Sequence, residues 1–306
     1  MVQTSGATAS LRGVSAVNDR VVWASGTNGT VLRTSDGGAT WHDLKIADAL
    51  DFRGLHAFDG TTTWLLSSGP GDKSQIYKTA QRVFTNPDTN GFLDAIAFWD
   101  PMHGIVLGDP VDGRFVIVTT SDGGQTWMRR PGPAALPKEG AFAASNTCLT
   151  VAGNKSVWFA TSGARVFRST DRGLTWSAAT TPIRNDGTSA GVFSLAFSDR
   201  QHGVAVGGDY AKPSESTANI AITSDGGATW QAPQGTRPAG YRSAVVYLAD
   251  RQAWIATGPT GSDISVDNGK NWKQFDSSAF NALSAVSSHA TWAVGPNGRI
   301  ARLRWP

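Results

Sequence analysis

The chain has 306 residues, of which 17% are charged, and its formal net charge at pH 7 is +3. Because this small positive excess includes no run of Lys and Arg, it argues against a nucleic-acid-binding protein. Gly occurs 35 times and Trp 12 times, and such a composition is typical of proteins with many short strands joined by tight turns.

Several classes of chemistry lack their sequence signals. Cys148 is the single cysteine, so neither an intrachain disulfide nor a cysteine metal cluster can form. No stretch approaches the length of a membrane span, and the first ten residues have neither the basic region nor the apolar region of a signal peptide. No phosphate loop, dinucleotide glycine motif or nucleophile elbow is present. We therefore predict no cofactor and no metal.

An eight-residue pattern, [S/T]-x-D-x-G-x-[T/N]-W, occurs five times. The copies are Thr34–Trp41, Thr120–Trp127, Ser169–Trp176, Thr223–Trp230 and Ser265–Trp272. The distance from Asp36 to Asp122 is about twice that from Asp225 to Asp267, so one copy is missing between the first two. The segment that ends at Gln81 stands in the missing place, with Gln81 where the other units have Asp. A further incomplete unit follows Trp272, which gives seven units.

Each unit contains four short predicted strands. First strands are predicted at Gly13–Val17, Gly54–Phe58, Ala95–Phe98, Phe193–Phe197, Ala244–Tyr247 and Ala282–Val286. Second strands are predicted at Val22–Ser25, Trp64–Ser67, Ile105–Gly108, Trp158–Thr161, Ala205–Gly208, Trp254–Thr257 and Trp292–Gly295. A third strand precedes each eight-residue pattern, and a fourth begins at its Trp.

Four strands in every 40–50 residues predict an all-β, seven-bladed propeller of antiparallel blades. The predicted blades are 10–45, 50–88, 91–130, 140–181, 190–234, 241–276 and 280–306, and the N-terminal segment 2–9 supplies the last strand of blade seven. Closing the ring in this way removes an exposed sheet edge.

The repeated pattern itself is predicted to be structural. Its aspartates are Asp36, Asp122, Asp171, Asp225 and Asp267, and its tryptophans are Trp41, Trp127, Trp176, Trp230 and Trp272. Between strands three and four, the Asp can accept turn N–H groups, the Gly supplies a positive φ, and the Trp packs between sheets. Copies on different blades cannot converge on one substrate.

The pattern resembles the Asp-box, or BNR, repeat. Families with this box include sialidases, xyloglucanase-type hydrolases, sortilin-like receptors and photosystem II stability/assembly factors, and seven blades without inserted domains look most like the last group and its bacterial relatives. The resemblance implies a binding or assembly scaffold, a protein or peptide partner, and a secreted or periplasmic location. It also makes the first residues look like a mature N-terminus preceded by an added Met.

A basic arc is the first candidate binding surface. Arg12, Arg53 and Arg242 stand at the start of the first strands of blades one, two and six, and Asn281 takes this position in blade seven. Such an arc suits a carboxylate, a phosphate or an acidic partner. The alternative is that these arginines are solvated strand ends or pack against neighbouring loops, and serve no ligand.

A polar and acidic arc is the second candidate. Its members are Asp94, Asp109, Arg114, Glu139, Ser145, Asn146, Asp209, Tyr210, Tyr241, Ser262 and Asp263. We predict that Ser145 and Asn146 lie in the inner strand of blade four, where they need hydrogen-bond partners. The arc forms either a small-molecule or glycan pocket, or a polar network that only supports the loops.

An enzyme is the alternative to a scaffold. A glycoside hydrolase of this family would draw on Asp94, Asp109, Glu139, Asp209 and Tyr210 as catalytic candidates. The Arg-Ile-Pro motif that sialidases carry in the first blade is absent, because Gly13 and Val14 follow Arg12. We therefore expect a monomeric, non-catalytic scaffold, with a glycan ligand or glycosidase activity as the alternative. His103 and His202 are each followed by Gly, and we predict that they are turn residues away from the site.

Overall fold

A computed structural model describes residues 1–46, 49–303 and 305. Seven separate antiparallel sheets follow one another along the chain and form a seven-bladed all-β propeller, so the predicted fold class is confirmed. Contacts between consecutive first strands, such as Leu11–Ala16 against Phe52–Ala57, join neighbouring blades. The helical structure among the described residues is a single 3-10 turn, Gly71–Lys73.

The strands are numbered in chain order. Blade one contains β2 Leu11–Ala16, β3 Val22–Gly26, β4 Val31–Thr34 and β5 His42–Asp43; blade two contains β6 Phe52–Ala57, β7 Thr63–Ser67, β8 Gln75–Lys78 and β9 Gln81–Thr85. Blade three contains β10 Leu93–Asp100, β11 His103–Val111, β12 Arg114–Thr120 and β13 Met128–Arg130; blade four contains β14 Leu149–Ala152, β15 Ser156–Ala160, β16 Arg165–Ser169 and β17 Ser177–Thr180. Blade five contains β18 Ala190–Phe197, β19 Gly203–Asp209 and β20 Ile220–Thr223; blade six contains β21 Ala244–Leu248, β22 Ala253–Gly258, β23 Gly261–Ser265 and β24 Lys273–Asp276. Blade seven contains β25 Ala282–Ala285, β26 Thr291–Val294, β27 Ile300–Arg302 and the N-terminal β1 Val2–Gln3.

The N-terminal strand closes the ring. β1 pairs antiparallel with β27, with Val2 opposite Ala301 and Gln3 opposite Ile300. The observed strand is shorter than the predicted segment 2–9. After Gln3 the chain turns at Gly6, whose φ is 74°, and Ser5 Oγ donates a hydrogen bond to the carbonyl of Gly298 at 2.7 Å.

Blade five departs from the four-strand pattern. Its outer edge has only one isolated bridge, between Ile222 and Gln231. Pro233 follows two residues later, and proline has no N–H group with which to continue the ladder. The predicted fourth strand of this blade is therefore reduced to a single pair of residues.

The turn that contains the repeated aspartate closes on itself through the same hydrogen bonds in five blades. In the first copy, Asp36 accepts from Thr34 Oγ1 at 2.7 Å and from the N–H of Thr40 at 3.0 Å. Equivalent bonds are made by Asp122, Asp171, Asp225 and Asp267. Gly38 has a φ of 85°, a backbone conformation that favours glycine. The carboxylates of these aspartates are thus engaged within their own turns.

Tryptophans fill the seams between blades. Trp41 of blade one meets Trp292 of blade seven edge to face, with ring centroids 5.9 Å apart. Trp127 of blade three meets Trp64 of blade two in the same way at 5.6 Å. Trp176, Trp230 and Trp272 also pack into clusters that combine two blades. Because a buried aromatic side chain removes a large apolar area from water, these contacts contribute strongly to holding adjacent sheets together.

The segment 143–148 corrects the prediction for blade four. It is not an inner strand, because β14 begins only at Leu149. The segment instead forms turns that reach several blades across the channel. Asn146 accepts a hydrogen bond from the N–H of Ile96 and donates to the carbonyls of Leu55 and Ile96. Ser145 donates to the carbonyl of Ser243 in the opposite half of the ring. We call residues 143–148 the plug.

Candidate functional site

A cavity of about 480 Å³ lies over the plug, at the end of the channel where the first strands begin. We call it the mouth cavity. Seven residues from the two predicted arcs line it: Arg12, Arg53, Asp94, Asp109, Tyr210, Tyr241 and Asn281. The structure thus brings together side chains from blades one, two, three, five, six and seven, although they are far apart in the sequence.

Arg12 and Arg53 form the basic side of the mouth cavity. Arg53 Nε donates to Asp51 Oδ2 at 2.7 Å, and one of its terminal nitrogens reaches the plug carbonyl of Ala143 at 3.4 Å. Arg12 is less satisfied, since its Nε is buried without a hydrogen-bond partner among the described residues. Burial, and then the neighbouring charge of Arg53, lower the pKa of Arg12. An anion placed here would offset both effects.

Asp94 and Asp109 form the acidic side. Asp94 is 1% exposed, and its Oδ2 has no hydrogen-bond partner within the described part of the chain. Burial, followed by the charge of Asp109, raises the pKa of Asp94 well above its usual value. Asp109 accepts the N–H of Ala141 at 2.8 Å, and burial raises its pKa as well. Carboxyl groups whose pKa values are shifted by burial and by a neighbouring charge are concentrated in functional sites.

Aromatic side chains form the remaining wall. Phe142 and Phe193 stack with ring centroids 3.7 Å apart. Tyr241 meets Phe193 edge to face at 4.7 Å, and Tyr210, which is 53% exposed, lies beyond it at 6.1 Å. Sequence reasoning missed Phe92, Phe142 and Phe193. Phe92 directly precedes β10, Phe193 lies within β18, and Phe142 lies just before the plug, so no shared position in the repeat marks these three residues.

Arg242 corrects the predicted basic arc. Its side chain is completely buried and does not line the mouth cavity. Its Nε donates to Asp263 Oδ2 at 2.5 Å, and one terminal nitrogen donates to Tyr241 O and Thr260 Oγ1. The pair therefore supports the loops of blade six, and the arginines that reach the cavity are Arg12 and Arg53.

The other predicted site residues lie outside the cavity lining and are held by local bonds. Ser145 and Asn146 belong to the plug beneath it. Glu139 is ion-paired with Arg165, Asp209 accepts the N–H of Ala211, Arg114 donates to Gly132 O, Ser262 bonds to Thr257, and Asp263 binds Arg242. For these side chains the structure favours the loop-supporting alternative. Asn281 lines the cavity but donates to the carbonyl of Leu11 at 2.8 Å.

A larger cavity of about 700 Å³ lies on the rim, where the chain ends meet. Its charged groups are already engaged. Asp36 is bound within its own turn, and Arg302 donates to the carbonyl of His289 at 2.9 Å and 2.6 Å. The mouth cavity is the better candidate because its charged groups include buried atoms without partners.

The histidines that the sequence singles out lie away from the mouth cavity. His103 and His202 lie at strand turns, where they contact Asp100 and Asp199 at 2.9 Å and 2.8 Å, as the sequence predicts for turn residues. Within the described ranges, no group of three His, Cys, Asp or Glu side chains is arranged to hold a metal ion. Over the same ranges, no helix has the length and apolar character needed to cross a membrane.

The buried carboxyl of Asp94 gives a pH-dependent prediction. Its pKa is raised in the fold, so the neutral form stabilises the protein below the pKa of the unfolded chain, and this contribution is lost as the pH rises through the folded value. Asp94→Asn removes the free-energy cost of ionising this buried carboxyl group. We therefore expect the melting temperature at neutral pH to rise by roughly 2–4 °C. Thermal melts of both proteins between acidic and neutral pH measure the difference, which should grow with pH.

Asp209→Asn is the matched control for this measurement. A hydrogen bond from Ser189 holds the pKa of Asp209 below its usual value, so its stabilisation is present at neutral pH and is lost on acidification. The control should therefore show the opposite trend. A pH-independent difference between Asp94→Asn and the parent protein would contradict the assignment.

Comparison with solved structures shows the same architecture. YCF48 bound to D1 peptide matches with a TM-score of 0.69 and 16% identity, over 100% of this chain and 97% of that chain. YCF48 from Cyanidioschyzon merolae matches with a TM-score of 0.67 and 16% identity, over 99% and 98%. The WD40 repeats of RRP9 match with a TM-score of 0.67 and 12% identity, over 99% and 97%. No protein-family model and no curated protein matches this chain. Likeness at such low identity concerns the fold.

Proposed function

We propose that this chain is a non-catalytic binding scaffold that holds an acidic peptide segment in the mouth cavity. The observation that carries the proposal is the basic side of that cavity. Arg12 has a buried Nε without a partner among the described residues, and burial and the charge of Arg53 lower its pKa more than the charge of Asp51 raises it. Arg53 pairs with Asp51 through its Nε. Carboxylates are the natural ligands of such a pair, because guanidinium groups bind them through charge-assisted hydrogen bonds.

The walls suit a peptide rather than an inorganic anion. Phe142, Phe193 and Tyr241 offer apolar surface beside the arginines, and ligand sites usually combine such surface with a few polar anchors. The solved structure of YCF48 with D1 peptide, which has the same architecture, adds support that a propeller of this kind accepts a peptide. The ligand would enter from the open face, where the side chain of Tyr210 is exposed.

Binding to an array of short peptides tests the proposal. Each peptide is made with a free C-terminal carboxylate and with a C-terminal amide, at several net charges. We expect acidic and carboxylate-ended peptides to bind. The double variant Arg12→Gln/Arg53→Gln should weaken them by about tenfold or more, because one hydrogen bond to a charged group contributes about 1.5–3 kcal/mol.

Arg20→Gln is the control for the array, because Arg20 is exposed on the turn between β2 and β3. It should bind like the parent protein. An array without any carboxylate-dependent peptide, or a double variant that binds as tightly as the parent, would refute the proposed function.

A glycoside hydrolase is the second candidate. Its support is the presence of two carboxyl groups, Asp94 and Asp109, on one wall of the mouth cavity. Such enzymes use a pair of carboxyl groups on either side of the scissile bond. Turnover of aryl glycosides that is lost in Asp94→Asn would establish this alternative in place of the scaffold.

The proposal includes a secreted or periplasmic location, which the repeat resemblance implies. Cell fractionation followed by immunodetection tests it, and recovery of the protein with cytosolic markers would count against it.

A further inference from the structure

The acidic wall of the mouth cavity has no task in binding a carboxylate. Asp94 and Asp109 lie on the same cavity as Arg12 and Arg53. A purely acidic ligand would be repelled by them whenever they are ionised. A ligand with a positively charged group beside these two carboxyl groups would avoid this repulsion.

We propose that Asp94 and Asp109 form a subsite for a cationic group, so that the mouth cavity binds a peptide in which an ammonium or guanidinium group lies close to a carboxylate. This inference rests on the proposed function, because Arg12 and Arg53 take the carboxylate of the same ligand. It assigns the ligand class more narrowly than an acidic peptide.

The unpartnered Asp94 oxygen is the first observation that carries the inference. Asp94 is 1% exposed, lines the cavity, and has an Oδ2 atom that accepts no hydrogen bond from the described residues. Buried polar atoms are nearly always satisfied, so an exception of this kind calls for a partner. A charged donor from a ligand supplies a stronger bond than a neutral one.

The neighbouring groups leave this place open to a cation. Arg53 is the protein cation whose charge acts on Asp94, but its Nε is committed to Asp51 and one terminal nitrogen to the plug. Asp109 keeps one oxygen, Oδ1, on the N–H of Ala141. The negative charge of Asp94 and Asp109, when they are ionised, is therefore only partly balanced by cations of the protein itself.

The aromatic wall also suits the cationic part of the ligand. The stem of a lysine or arginine side chain is apolar and packs on surfaces such as the Phe142–Phe193 stack. Its charged end is attracted to the faces of aromatic rings. A ligand with one carboxylate and one cationic side chain can thus bind the arginines with the first, the acidic side with the second, and pack its apolar stem on the aromatic wall.

Binding in this subsite is expected to release a proton. Burial and Asp109 raise the pKa of Asp94, while Arg53 and the backbone N–H groups of Asp109 and Ala143 lower it. The charge of Asp94 also acts on the buried thiol of Cys148, and the other titratable groups that line the cavity are those of Arg12, Tyr210 and Tyr241. A ligand cation favours the ionised form of Asp94. The affinity for a cationic peptide should therefore rise with pH relative to that for a neutral analogue.

Four synthetic peptides test the inference. They are acetyl-Ala-Ala-Lys and acetyl-Ala-Ala-norleucine, each with a free C-terminal carboxylate and with a C-terminal amide, titrated against the whole chain by NMR. We expect the lysine acid to bind about tenfold or more tightly than the norleucine acid. In Asp94→Asn/Asp109→Asn this preference for lysine should disappear, while the preference for the free carboxylate remains.

The controls separate this inference from the proposed function. Asp19→Asn, which alters an exposed carboxyl on the β2–β3 turn, should behave like the parent protein, and near-UV circular dichroism checks that every variant is folded. Carboxylate preference without lysine preference would overturn the cation subsite and leave the proposed function standing. A lysine preference that survives in the double variant would overturn the subsite as well. Absence of carboxylate preference would remove both.

Discussion

Arg242→Ala is expected to lower the free energy of unfolding by about 3–5 kcal/mol, the usual cost of removing one partner from a buried ion pair. Arg242 and Asp263 are 0% and 1% exposed in their side chains and are 2.5 Å apart. Truncation of the arginine leaves Asp263 as a buried charge without its partner and also removes the bond to Thr260. Chemical denaturation of the variant and the parent protein measures the loss.

Two further variants make this prediction specific. Arg237→Ala removes an exposed arginine nearby and should change stability by less than about 0.5 kcal/mol. Arg242→Met/Asp263→Leu replaces the whole pair with apolar groups and should recover most of the loss, since no charge is left buried. If Arg242→Ala instead keeps its stability and loses peptide binding, Arg242 belongs to the ligand site, as the sequence first suggested.

Trp292→Ala is expected to cost about 3–5 kcal/mol, because truncation of a buried tryptophan leaves a large cavity. Trp292 is 0% exposed, packs on Trp41 across the seam between blades seven and one, and lies in a cluster that contains residues of both blades. This seam is the one that the chain closes with β1. Loss of the side chain weakens the place where the ring joins its two ends.

Trp158→Ala is the matched comparison. Trp158 is 1% exposed and stacks on Phe197 across the seam between blades four and five, inside the chain. If the ring is closed as firmly as it is packed elsewhere, both variants should lose similar stability in chemical denaturation. A cost below about 1 kcal/mol for Trp292→Ala alone would mean that the ring is open at the closing seam.

Repetition made the fold predictable. Five of the seven units repeat one turn chemistry, in which Asp36 and its counterparts accept the N–H group four residues later, and each of these five also carries a tryptophan that packs between two blades. These are local interactions, and the sequence distance between copies sets the number of blades. Two predicted strands are not formed, and the reason in each case is local. Pro233 interrupts the outer strand of blade five, and the turns at 143–148 stand in place of an inner strand of blade four.

The candidate site was predictable only in part, because its residues meet through the ring. The repeat register placed Arg12, Arg53, Asp94 and Asp109 at one end of the channel, and all four line the mouth cavity. It also placed Arg242 there, although that side chain turns inward to Asp263. The repeat register predicts where the backbone of a residue lies in its blade. It does not predict the direction in which a long side chain points or the group that it binds.

The sequence by itself determined a seven-bladed ring and its closure by the N-terminal segment, because both depend on short strands repeated at a regular period. The tertiary structure decided which charges remain available. Asn146 is satisfied by Leu55 and Ile96. Arg242 is held away from the mouth cavity by Asp263, Tyr241 and Thr260, although its Nη2 is buried without a partner in the described part of the chain. Arg12 and Asp94 line the mouth cavity and keep buried atoms without partners among the described residues. The partners of Asn146 come from blades two and three and that of Arg242 from a neighbouring strand of blade six, so only the folded ring shows which polar groups support the loops and which a ligand can reach.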